Sequence, residues 1–178
     1  MSLMVCSEIG EINTYKTLPK CQLVRDVVTA VRTDTIVFPH VSSCLGVIFE
    51  LPANPHGIQR IGVHLVVSSV EYGFGYNEAV NYYKQNRILR QYCMHSNAYC
   101  FSPVKDWEGP VKDMLKALNV NQYHFHRTDK GEVNAWVTQN TLSLTEWTTG
   151  SSKVAAQSEK PVGAANVINL NTVIWSAV

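Results

Sequence analysis

Two side chains in this sequence are placed to act together on a carbonyl group. Cys44 and His64 each sit in an apolar run, and the segment Pro52-Ala53-Asn54-Pro55-His56-Gly57 separates the runs. A thiol with an ordinary pKa of about 8.5 is mostly protonated at neutral pH, and a neighbouring imidazolium stabilises the nucleophilic thiolate. The same imidazole can later protonate a leaving group, while the backbone N–H of Cys44 or a neighbour can hold a tetrahedral oxyanion. This is the chemistry of acyl transfer.

The elements that must position this pair are two strands. Residues 44–51 and 58–67 are rich in Val, Ile, Leu and Phe, and the Pro- and Gly-dense segment between them reverses the chain. Alternation puts Leu45, Val47, Phe49 and Leu51 on a core face and Cys44, Gly46, Ile48 and Glu50 on the other. In the second strand Arg60, Gly62, His64 and Val66 share the face of Cys44. A reversal centred on Asn54 pairs residues whose numbers sum to twice 54, so Cys44 faces His64 and Gly46 faces Gly62. Opposed Cβ atoms lie about 4.5 to 5.5 Å apart, within reach of an imidazole and a thiol. Gly46 and Gly62 would then leave a notch for substrate access to the sulfur.

Val41-Ser42-Ser43-Cys44-Leu45-Gly46-Val47, followed by a turn and Ile61-Gly62-Val63-His64-Leu65, resembles the Cys/His signature of bacterial chemoreceptor glutamine deamidases. That family shares a catalytic core with cytotoxic necrotizing factor-type toxins, and the match covers about residues 35–67. The resemblance implies that Cys44 is the nucleophile and His64 its base. Ser43 matches the serine that precedes the Cys, and Ser42 the toxin-like serine two positions before it. The implied reaction is hydrolysis of a glutamine side-chain amide on a protein substrate, with no cofactor, in the cytoplasm or by a secreted bacterial effector. There are two departures. Phe38 replaces the Thr six residues before the Cys that orients the His, and Ser42 replaces the usual Gly. Ser42, Thr35 or a backbone carbonyl is left to accept the imidazole Nδ1–H.

The rest of the chain frames these expectations. Its 178 residues fit one domain, and a hydrophobic share of 46% with 16% charged residues describes a chain that folds. A formal net charge of +1 supplies no global field for nucleic acid or anionic lipid, and no apolar run is long enough for a membrane-spanning helix. Five irregularly spaced cysteines fit reduced thiols. Residues 22–32 read equally as helix or strand. A helix is expected over residues 78–92 with Asn77 as N-cap, and another from Pro110 through Leu118. Residues 121–127, 132–139 and 142–147 read as strands, the first two joined by a turn at Asp129-Lys130-Gly131; residues 148–160 read as a loop and 164–175 as strand-like. The expected fold class is α+β, a mixed or mostly antiparallel, sandwich-like sheet assembly with at least two flanking helices. His124 and His126 share a strand face, a spacing that can bind metal, but no second pair completes a ligand set, so no metal is expected. Lys84, Arg87 and Arg90 with nearby tyrosines read as a solvated helix face rather than a nucleic-acid surface. In a second reading of the whole chain, it is a non-catalytic binding or structural protein, with Cys44 and His64 as packing residues.

Overall fold

The computed structural model describes residues 2–6, 27–66 and 75–178. The fold is α+β, with two mixed sheets and four α-helices among the described residues. The five-stranded sheet has the order β1 (Leu3–Val5), β3 (Thr35–Val41), β8 (Val133–Thr138), β9 (Thr141–Glu146), β10 (Ala165–Asn169). The six-stranded sheet has the order β11 (Ser176–Ala177), β7 (Gln122–Arg127), β6 (Asn97–Ser102), β4 (Leu45–Glu50), β5 (Arg60–Leu65), β2 (Val27–Ala30). Only β1 with β3 and β6 with β7 run parallel among these pairs.

Alternation explains the layering. Leu45, Val47 and Phe49 of β4, with Ile61, Val63 and Leu65 of β5, pack beneath α1 (Tyr76–Lys84), α2 (Arg87–Tyr92) and α3 (Glu108–Ala117). Ala79, Val80 and Tyr83 of α1 and Val111, Met114 and Leu115 of α3 form the facing apolar stripes. On the other side of the same sheet Ile48, Tyr99 and Phe101 meet Ile36, Phe38, Ala135, Val137, Leu142 and Leu144 of the second sheet. The six-stranded sheet is therefore buried on both faces, between helices and a second sheet. A short α4 (Ser151–Ala155) covers Trp136 and Val37 on the outer side of the five-stranded sheet.

Several sequence expectations change. The expected helix over residues 78–92 is two helices, because Asn86 ends one and caps the next; its Oδ1 accepts from Ile88 N at 3.0 Å and Leu89 N at 3.1 Å. The first helix takes Gly75, not Asn77, as its N-cap. The helix expected from Pro110 begins at Glu108, after a 3-10 turn at Lys105–Trp107. Residues 121–127 and 132–139 do not form a hairpin: β7 and β8 belong to different sheets, and Asp129-Lys130-Gly131 lies in the crossing between them. The loop at residues 148–160 contains α4, and residues 164–175 hold β10 followed by a 3-10 turn at Leu170–Thr172. The ambiguous residues 22–32 resolve as strand at Val27–Ala30, and residues 22–26 lie outside the described residues, as do Cys21 and Gly73. Strand β6 was not anticipated, although Ala98 to Phe101 is an apolar run. No helix among the described residues is long and apolar enough to cross a membrane.

Candidate active site

The reversal between β4 and β5 is organised by the Asn54 side chain. Its Nδ2 donates to the Ile58 carbonyl at 2.6 Å, its Oδ1 accepts from His56 N at 3.2 Å, and Gly57 takes φ +67°. The turn is thereby centred one residue beyond Asn54, and the partners sum to twice 55. Gly46 faces His64, Ile48 faces Gly62 and Glu50 faces Arg60. The expected pairing of Cys44 with His64 is displaced by two residues. Cys44 lies in the bend immediately before β4, in the apolar cluster of Phe38, Ile48 and Phe101, and the Phe38 ring of that cluster also contacts His64.

His64 is fully buried and its orientation is fixed. Its Nδ1–H donates to the Cys6 carbonyl at 3.0 Å, so in the neutral ring Nε2 is the proton acceptor. The group left open in the sequence is therefore a main-chain carbonyl. Thr35 instead shares a hydrogen bond with Thr138, at 2.9 Å between their hydroxyl oxygens. The Phe38 ring, at the position where the family has Thr, packs on the imidazole with 6.0 Å between centroids. Cys6 is held in place by β1: its N–H donates to the Val37 carbonyl at 2.8 Å, and the Thr35 N–H donates to the Ser2 carbonyl at 3.0 Å. Asp34 ties down the same end, accepting from Ser2 N and Oγ and from Val31 N. Burial pushes the Asp34 carboxyl up, but these hydrogen bonds outweigh it and leave its pKa below the ordinary value.

The backbone at Cys44 is also held. Ser102 Oγ donates to the Cys44 carbonyl at 2.7 Å, and Trp107 Nε1 donates to the Ser43 carbonyl at 2.9 Å. Ser102 and Trp107 are fully buried, so both peptide planes around Cys44 are fixed from the β6 side. The Ser42 side chain is half-buried and Ser43 is exposed.

The chain matches no protein-family model and no curated protein.

The expected substrate notch at Gly46 and Gly62 is absent. A Cβ on Gly46 would lie 2.2 Å from Phe101 Cζ, and one on Gly62 would lie 3.1 Å from Ile36 Cγ2 and 3.3 Å from Phe38 Cζ. Both glycines face the second sheet, and aromatic rings fill the space they leave. Cys44 is accordingly only 2% exposed. The sequence reading missed this because the less uniformly apolar face of β4 is also an interior face. Gly46→Ala is expected to destabilise the fold by at least about 2 kcal/mol in urea denaturation, since Phe101 is itself held edge-on to Phe38 at 5.0 Å. A loss under about 0.5 kcal/mol would show that the ring can swing aside.

Other candidates lie apart from this pair. Cys93 and Cys100 are buried on the helix-facing side, and burial pushes both thiols up, as for packing residues. His124 and His126 do share a face, where Tyr99 stacks on both rings at 5.3 and 6.3 Å, and His124 Nδ1–H donates to the Ile174 carbonyl at 3.0 Å. Burial and the neighbouring His124 push His126 down. Among the described residues no three His, Cys, Asp or Glu side chains come together as a metal site. Three groups of the candidate site were not foreseen. The Cys6 carbonyl is a backbone atom with no signature in residue type, and the Ser102 and Trp107 donors come from elements whose place beside Cys44 depends on tertiary structure.

Proposed function

We propose that the chain is a cysteine-dependent amidohydrolase of the glutamine-deamidase type, acting on a side-chain carboxamide of a protein. The observation that carries this reading is the His64 Nδ1 hydrogen bond to the Cys6 carbonyl, which makes Nε2 the basic atom of a ring that contacts Phe38, in the same apolar cluster as Cys44. Cys44 Sγ, having given its proton to His64, bonds to the amide carbon, and the carbonyl electrons move to oxygen. As that oxyanion collapses, His64 passes the proton to nitrogen and ammonia leaves, giving a thioester. Water then loses a proton to the same imidazole and attacks the thioester, and the returning proton restores the thiol. The net change is amide plus water to carboxylate plus ammonium, with no cofactor. The substrate side chain enters at the Ser42–Ser43 bend rather than through the sheet face.

The test is ammonia release and a mass gain of about one dalton on glutamine-bearing protein substrates, both abolished by Cys44→Ser. No product from any substrate with the wild-type chain, alongside an unreactive thiol, would remove this reading.

The burial of Cys44 and His64 favours a second reading, in which the two are packing residues of a non-catalytic binding or structural protein. The rate of Cys44 alkylation against pH separates the two. A thiolate that forms well below about pH 8.5, and is lost in His64→Ala, belongs to the enzyme; an inert thiol belongs to the scaffold.

A further inference from the structure

The bend that carries Cys44 follows an irregularity in β3. Phe38 faces Ala135 and Val41 faces Val133, so three steps along β3 match two along β8, and the strand holds one extra residue at Pro39-His40. This is a β-bulge, and it reverses the alternation of the strand beyond it. Before it, Ile36 and Phe38 point into the cluster between the sheets and Val37 points to the outer side. Val41 lies an odd number of residues beyond Phe38, so without the bulge it would follow Val37 outward. Instead Val41 is buried between the sheets, in the same cluster as Cys44.

The bulge is locked from the outer side. His40 takes φ +56°, a left-handed conformation that residues with a Cβ disfavour. Three contacts hold it there. Its N–H donates to Asn134 Oδ1 at 2.9 Å, its ring stacks on Trp147 with 4.2 Å between centroids, and Nε2 lies 3.3 Å from Glu132 Oε1. Asn134 Nδ2 in turn donates to Ser151 Oγ at 3.0 Å and Trp147 Nε1 to Ser152 Oγ at 2.8 Å, so α4 braces both partners. Strained backbone that several contacts over-determine clusters at functional sites, and bulges there re-aim the chain. The bulge fixes the entry to the bend, as Trp107 and Ser102 fix its exit.

We infer that His40 is a positioning residue for Cys44: its left-handed backbone, locked by Asn134, Trp147 and Glu132, sets the direction of the Ser42–Cys44 bend and hence the approach of the sulfur to His64. The inference rests on the reading of Cys44 and His64 as the reacting pair. His40 acts through its backbone, not through a ring nitrogen.

The test compares His40→Gly with His40→Asn in the full chain. Cys44 is followed by iodoacetamide alkylation against pH with peptide mapping, and the fold by its urea midpoint. Glycine adopts the left-handed region without strain but also leaves it freely, and it loses the Trp147 stack. The urea midpoint of His40→Gly should stay near that of wild type, while Cys44 alkylation at neutral pH slows about tenfold and its midpoint rises by about one pH unit. Asparagine favours the left-handed backbone and should keep the rate within about threefold of wild type. A wild-type midpoint well below about pH 8.5 that persists in His40→Gly overturns this inference alone. A wild-type Cys44 that is inert, or titrates as an ordinary thiol, overturns the reading of the pair and this inference with it. His40→Asn as slow as His40→Gly would assign the effect to the ring and overturn positioning through the backbone.

Discussion

His64→Asn is expected to lower ammonia release by about a thousandfold while the protein stays folded. The asparagine amide can take the place of Nδ1–H and donate to the Cys6 carbonyl, so the buried acceptor keeps its partner. What the substitution removes is Nε2, the atom that in the proposed reaction takes the thiol proton and returns it to ammonia. The thousandfold figure is the middle of the usual contribution of a positioned acid–base, about a hundred- to ten-thousandfold. The measurement is kcat on a glutamine-bearing protein, with circular dichroism and a urea midpoint to confirm the fold. Cys44 alkylation at neutral pH should slow in the same variant. Retained turnover in a folded His64→Asn protein would mean that another group moves the proton.

The largest expected loss of stability is at the opposite end of the same hairpin. Glu50→Ala should cost about 3 to 5 kcal/mol, because it strands the Arg60 guanidinium, which is 1% exposed. Burial pushes Arg60 below its ordinary pKa and Glu50 pushes it back up, so the carboxylate is what makes the buried charge tolerable. The remaining anchor, a hydrogen bond from Nη2 to the Gln139 carbonyl, is neutral and does not offset a lone cation. Glu50→Ala with Arg60→Leu should recover most of the loss, since an apolar pair of similar volume needs no counter-charge. Chemical denaturation of the single and double variants decides it. A double variant no more stable than Glu50→Ala alone would show that packing of the arginine stem, not its charge, dominates the site.

What the sequence made legible follows from local periodicity. Parity along residues 44–51 and 58–67 separates Leu45, Val47 and Phe49, which pack under the helices, from Ile48, which meets the second sheet, because a strand alternates whatever its neighbours. The register missed by two because it rests on where the turn is centred. Asn54 bonds forward to His56 and Ile58, and this shifts the centre to Pro55. The notch expected at Gly46 failed for a different reason: a missing side chain marks a close approach, but only tertiary structure says whether substrate or Phe101 makes it. The same limit separated β7 from β8, since two alternating runs joined by a turn read as a hairpin unless each finds a better partner in another sheet. The α+β class survived these errors because it depends on the number and type of elements, not on their pairing.

The Cys6 carbonyl reaches the imidazole from the end of a three-residue strand that, among the described residues, sits at the margin of its sheet and pairs on one side only. Such strands open at a smaller free-energy cost than the whole molecule unfolds. Each time this one frays, the ring loses the acceptor that selects its tautomer, and both nitrogens compete for the single proton. In the proposed reaction the population of competent imidazole then follows the local opening equilibrium at Leu3–Cys6, and amide exchange at Val5 and Cys6 reports on it directly.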